Sequence, residues 1–157
     1  DIAIRPTDHP QETLVGRRIA TIECAVYGSV DYLARAGNHG TLEDHSWVVP
    51  DDSLGHMAYS RWFSRTFKKA TPSVSCNSLQ SLSGLVEAGA GLGVLPCYLG
   101  DTRPGLERVT APLAGYGTGL WLLTHQDLRR MARIRVVLDE IGERLDLQKH
   151  LIEGEQI

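Results

Sequence analysis

The chain has 157 residues, with 16 basic and 19 acidic side chains and a formal charge of -3. That length holds one core or two small lobes, and that charge offers no global positive field for nucleic acid or an anionic membrane. Its three scattered cysteines, Cys24, Cys76 and Cys97, exclude a disulfide framework or zinc knuckle, and no apolar run approaches the ~20 residues of a membrane helix.

In chain order, "DIAIRP" reads as a short apolar strand stopped by Pro6, followed by the polar, turn-rich "TDHPQET". The start is not Met and lacks the basic and apolar regions of a signal peptide, so a cytoplasmic chain that is part of something longer is expected. In "RRIATIECAVYG" the apolar Ala20, Ile22, Cys24 and Val26 alternate with other residues, which predicts one long strand. Ser29 then caps a short helix, "VDYLARA", closed by Gly37. "SWVVP" predicts another strand. "HMAYSRWFSRTFKKA" predicts a helix with Trp62, Phe63 and Phe67 on one side and lysines at its C-terminal end, where the macrodipole favours them. After Pro72 come strand "SVSCN", helix "SLQSLSGLVEA", strand "LGVLP", a helical turn at "CYLG", and strands "LERV" and "GLWLLTH". From Asp127 to about Leu145, Met131, Ile134, Leu138, Ile141 and Leu145 recur at helical steps and define an amphipathic helix. The tail "LQKHLIEGEQI" loses the pattern and is expected to fray. Alternating strands and helices give an α/β class with largely parallel pairing.

The stretch "VEAGAGLGVLP" spaces Gly89, Gly91 and Gly93 two apart, which raises the question of a phosphate cradle. A dinucleotide site needs strand, glycines, then helix, so that the anion meets free N–H groups. Here the helix comes first, and its partly negative C-terminal end repels phosphate. The glycines therefore read as a helix stop and a tight turn. The other end of that helix is more useful: "SCNSLQS" sets Asn77 or Ser78 at the N-cap, a cradle for a carboxylate or other anion. In an open parallel sheet the carboxyl ends of strands face a shared crevice. By that rule Arg5, after "DIAI", and Pro50, Asp51 and Asp52, after "SWVV", are its companions, with Ser29 at another helix start as a further candidate.

Other chemistry is poorly supported. The six histidines, His9, His39, His45, His56, His125 and His150, form no H-x-x-H or H-E-x-x-H pattern. No G-x-S-x-G elbow occurs, and "LSGLV" falls inside a helix. Cys76 holds a helix-start position that lowers a thiol pKa, yet it has no evident base and reads as a lining or core residue. Asp51 and Asp52 diverge on a loop and read as caps. Arg129, Arg130, Arg133 and Arg135 form a run that reads as a solvated, salt-bridged face, with contact to phosphate or a partner as the sharper alternative. No cofactor or metal is expected.

Taken in order from Asp1 to about Leu145, "DIAIRP", "LVGRRIATIECAVYGSVDYLARAG", "SLQSLSGLVEAGAGLGVLPCYLGD" and "LWLLTHQDLRRMARIRVVLDEIGERL" resemble the effector-binding region of LysR-type transcriptional regulators. The resemblance implies two α/β lobes of the periplasmic-binding-protein type 2, joined by crossing strands at Arg18 to Tyr27 and Gly119 to Thr124, with a small-molecule effector in the cleft. It sets a partial first lobe at 1–19, a complete second lobe at 20–118, a return with the C-terminal helix at 119–147 and a tail at 148–157. It implies homo-oligomers (dimers or tetramers), DNA contact through a winged helix-turn-helix not found in this sequence, no membrane, and a sensor rather than an enzyme. The effector is expected to be a small organic anion. The rival readings are a small α/β enzyme using Asp51, Asp52 or Cys76, and a solute-binding protein of the same fold.

Overall fold

The period-two run from Arg17 to Gly28 is not one strand. In the computed structural model, which describes residues 1–37, 41–55, 57–67 and 72–155, it divides at Glu23, and its halves belong to different sheets. The elements are β1 (Ile2–Pro6), β2 (Leu14–Ile22), β3 (Cys24–Ser29), α1 (Val30–Ala36), β4 (Val48–Pro50), α2 (Ala58–Thr66), β5 (Val74–Cys76), α3 (Leu79–Glu87), β6 (Gly93–Pro96), α4 (Cys97–Gly100), β7 (Leu106–Arg108), β8 (Thr118–His125), α5 (Ala132–Leu147) and α6 (Lys149–Ile152). Lys68 and Lys69, the expected C-terminal lysines of α2, lie outside the described residues, as do His39 and His56. The chain forms two units, Asp1–Ile22 with Thr118–Ile157, and Glu23–Gly117.

In the first unit β8 lies between β1 and β2 and runs antiparallel to both, from Ile2↔Thr124 to Pro6↔Leu120 on one side and from Leu14↔His125 to Ile22↔Thr118 on the other. The register shifts between Arg18 and Ala20. Leu138, Ile141 and Leu145 of α5 pack on Ile19, Ala20, Leu120 and Leu122, a stripe at three- and four-residue steps meeting the apolar face of a sheet. Each such side chain contributes roughly 1.5–3 kcal/mol when fully removed from water. Arg17 of β2 also reaches Asp146 of α5 at 2.9 Å, passing so close to Gly142 that a Cβ there would stand 2.3 Å from its Nη2.

The expected frayed tail is instead built into this unit. Ile152 of α6 is buried in the same cluster, Glu153 Oε1 accepts the Thr21 N–H at 3.1 Å, and Gly154 follows with φ 67°. One apolar anchor and one side-chain acceptor suffice to hold a single turn, although a turn that short carries no periodic signal.

In the second unit β3 lies between β6 and β7, antiparallel to both, while β4 and β5 pair in parallel. The parallel bridge Trp47↔Leu92, with the Val48 N–H donating to Leu92 O at 2.8 Å, lays β4 along β6. Pairing in the molecule is thus mainly antiparallel, contrary to the expectation from strand and helix alternation. The reason is the double passage of the chain: β8 returns against β1 and β2, and β3 runs against β6 and β7. Only β4, β5 and β6, linked through α2 and α3, keep the parallel arrangement of strand–helix–strand units.

Trp47 anchors this second core. It is fully buried, its ring lies 5.2 to 5.9 Å from those of Trp62, Phe63 and Phe67, and its indole N–H donates to Leu42 O at 2.9 Å. The glycine-rich stretch serves packing. Gly89 takes φ 79° just beyond α3, a conformation that favours glycine. A Cβ on Gly93 would stand 2.6 Å from Val86 Cγ2, so α3 sits directly on β6.

Candidate functional site

The N-terminus of α3 is formed as "SCNSLQS" predicts. Ser78 is the N-cap, with φ -146° and ψ 148°, and its Oγ accepts the Ser81 N–H at 3.1 Å. The same Oγ lies 2.8 Å from the Ser81 hydroxyl, to which it donates. Leu82 N–H is bound by Ser78 O. The N–H groups of Leu79 and Gln80 have no acceptor among the described residues, so two donors at the positive end of a nine-residue helix are open to a ligand. Asn77 is exposed and precedes the cap.

Parallel pairing brings the second loop alongside. Pro50 is the register partner of Cys76, and the Asp51 N–H donates to Cys76 O at 2.9 Å. Pro50, Asp51, Asn77 and Ser78 therefore sit at the carboxyl ends of two adjacent strands. Asp51 is already engaged: it caps the 3₁₀ turn Asp52–Leu54, its Oδ1 accepting the Ser53 N–H at 2.9 Å and the Ser53 hydroxyl. It shapes the loop, while the side chains of Asn77 and Asp52 make no hydrogen bond or ion pair among the described residues.

Cys76 lies between them, its thiol 3.7 Å from Val49 O. Burial pushes this thiol above its ordinary value, outweighing the lowering by the Ser78 N–H. The helix-start position thus does not activate it, and among the described residues no histidine or carboxylate is hydrogen-bonded to it. Cys24 is pushed up to about 12, first by burial and then by Cys97.

Two candidates stand elsewhere. Ser29 is buried and caps α1, accepting the Tyr32 N–H at 3.1 Å. Since β3 runs against β6, and β6 runs with β4, the end of β3 is at the opposite end of the sheet from Pro50 and Asn77. A Cβ on Gly89, beyond the far end of α3, would lie 3.3 Å from Ser29 Oγ. Arg5 belongs to the first unit, on β1 opposite Trp121. Its guanidinium makes no ion pair or hydrogen bond among the described residues, and it lines a cavity of about 340 Å³ with Ala3, Leu14, Leu123 and His125. Among the described residues no cluster of histidine, cysteine and carboxylate side chains fits a metal ion, and no helix is long and apolar enough to cross a membrane.

The chain passes between its two α/β units at Ile22–Glu23 and again at Gly117–Thr118, so the expected crossing strands are instead split between β2 and β3 and, for β8, confined to the first unit. The fold is of the type 2 periplasmic-binding-protein-like class. The model of the LysR substrate binding domain matches residues 1–146, and the chain belongs to that family. It is an effector-binding domain of the LysR type.

Solved structures agree in fold. The regulatory domain of CrgA, a LysR-type transcriptional regulator from Neisseria meningitidis, superposes with a TM-score of 0.68 at 24% identity, covering 92% of this chain and 75% of that one. The effector domain of the transcriptional regulator AmpR of Pseudomonas aeruginosa gives 0.67 at 14% identity, over 96% and 73%. The reduced form of the OxyR regulatory domain from Pseudomonas aeruginosa gives 0.64 at 17% identity, over 94% and 72%. Comparison with curated proteins gives no match.

Proposed function

We propose that this domain senses a small organic anion, whose charged group is held at the start of α3 by the Leu79 and Gln80 N–H groups and the Asn77 side chain, beside the Pro50–Asp51 loop. The observation that carries the reading is the pair of unaccepted donors at the start of α3, next to a rigid loop held by the Asp51 to Cys76 backbone bond. The N-terminus of a helix favours a carboxylate through its dipole and its free N–H groups together. Arg5 is one of several unpaired cations of the first unit, and is proposed as a carboxylate contact within that unit.

In this reading the activity is binding rather than turnover, which the raised Cys76 thiol and the capping role of Asp51 support. The effector acts by preferring one arrangement of the domain. In this reading the whole regulator is a cytoplasmic homo-oligomer that meets DNA through a separate winged helix-turn-helix.

The test is a panel of aromatic and aliphatic monocarboxylates scored by the rise in unfolding temperature. A true effector raises Tm saturably. Arg5→Ala tests the first unit by itself: a carboxylate held there is expected to bind about tenfold more weakly, the worth of a charge-assisted hydrogen bond, without any loss in the Tm of the unliganded protein. Unchanged affinity with lost stability would make Arg5 structural and remove it from the site.

A further inference from the structure

The arginine run expected to form a solvated, salt-bridged face is solvated, but its members form no salt bridge among the described residues. Arg129 and Arg130, just before α5, and Arg135, in its first turns, join Arg17 of β2 around a cavity of about 790 Å³ within the first unit. Leu122 and Leu138 supply its apolar walls. Arg17 is paired with Asp146 at 2.9 Å. The guanidinium groups of Arg129, Arg130 and Arg135 have no ion pair or hydrogen bond among the described residues. One carboxylate, Asp139, one turn after Arg135 on α5, shares the lining with these four cations.

The placement conflicts with local helix chemistry. α5 begins without a side-chain cap at Met131, and its first turn has no acidic residue. Arginines occupy the positive end of the macrodipole, where acidic residues stabilise and basic ones oppose. Like charges converging on one concave surface add further repulsion. Folding alone gives no reason for this arrangement, and an anion in the cavity relieves both penalties at once.

We propose that this cavity binds a small organic polyanion carrying two or more oxyanion groups, a polycarboxylate or a phosphate ester, with its carbon body against Leu122 and Leu138. Guanidinium groups match carboxylate and phosphate oxygens through paired N–H donors, and a cavity of this volume falls within the range that holds small ligands. A single charged group would leave most of the guanidinium groups unsatisfied, which selects for multivalency. The site lies wholly in the first unit and is independent of the proposed contact at α3.

The experiment is calorimetric titration of the 157-residue chain with citrate and, separately, inorganic pyrophosphate, with acetate as the monovalent control. One of the two polyanions is expected to saturate in the micromolar to low millimolar range, and which one does so assigns carboxylate or phosphate chemistry. Arg130→Gln and Arg135→Gln should each weaken it about tenfold. Arg133→Gln, on the same helix but outside the lining, and Ser78→Asp, at the α3 site, should leave it within twofold. None of these side chains holds the fold together, so their variants remain testable, and unchanged unfolding temperatures verify this. The proposal is overturned if neither polyanion saturates, if acetate binds as well with the same sensitivity to Arg130→Gln and Arg135→Gln, or if Arg133→Gln costs as much as Arg135→Gln, which would mean a diffuse surface field.

Discussion

The two units solve the burial problem differently. The second surrounds Trp47 with Trp62, Phe63 and Phe67 and seals Tyr27, Leu82, Val86, Leu92 and Leu95 from solvent. The first packs α5 and α6 on one face of three strands and leaves Ile4, Val136, Val137 and Leu147 exposed, Val136 by 68% and Leu147 by 74%. Buried apolar area is the main favourable term in folding, so cohesion is concentrated in the second unit. If the effector is read at the start of α3, as proposed, the site lies in the more cohesive unit, and the less stable first unit is where movement is expected.

The largest expected effect tests this asymmetry directly. Trp47→Ala removes the centre of the aromatic cluster and leaves Leu42 O without its indole donor. It should cost about 3–5 kcal/mol, the range for emptying a large aromatic site in a core. Hydrogen exchange should show the loss in β3, β4 and β6, with β8 amides nearly unchanged. Equal loss of protection in β8 would mean that the two units unfold as one and that the contrast is only one of surface area.

A matched pair of ion-pair variants sharpens the comparison. In the second unit Arg108 binds Asp101, its side chain only 8% exposed against 22% for its partner, and Tyr27 OH donates to the same carboxylate at 2.7 Å. In the first unit Arg17 and Asp146 are 51% and 46% exposed. Arg108→Met strands a partly buried carboxylate and should cost about 2–3 kcal/mol, below the full cost of breaking a deeply buried pair because Asp101 keeps some water. Arg17→Met should cost less than about 1 kcal/mol, as exposed pairs contribute little and water screens them. Urea unfolding of both variants decides it, and similar losses would refute the assignment of strength to burial.

What the sequence made legible follows the same physics. The cap at Ser78, the stop after α3 and the stripe on α5 are local, and local patterns can be read from one strand of text. The break at Glu23 is not, because Ala20, Ile22, Cys24 and Val26 keep one alternation while the chain leaves one sheet for another. Ser29 was readable as a cap, but its position at the opposite end of the sheet depends on the direction of β3 relative to β6. The turn at α6 rests on Ile152 and Glu153, too few residues for a period. The basic cavity needed Arg17, more than a hundred residues from its companions in the chain, to be brought beside them.

The smallest expected change in stability is the most telling for function. In Ser78→Asp the new carboxylate takes over the Ser81 N–H that the serine Oγ now accepts at 3.1 Å. Aspartate is as good an N-cap as serine and favours the helix dipole, so the unfolding free energy should stay within about 0.5 kcal/mol of the parent. The same charge stands where the Leu79 and Gln80 donors await an anion, and it should repel one. An effector found in the carboxylate panel should therefore lose at least tenfold in affinity, measured by titration beside thermal unfolding. A residue that merely caps predicts no change in either quantity, and one that merely packs predicts a loss of stability. Only a residue that both caps the helix and borders the ligand moves binding while leaving folding alone, so equal affinity in parent and variant would take the effector away from α3.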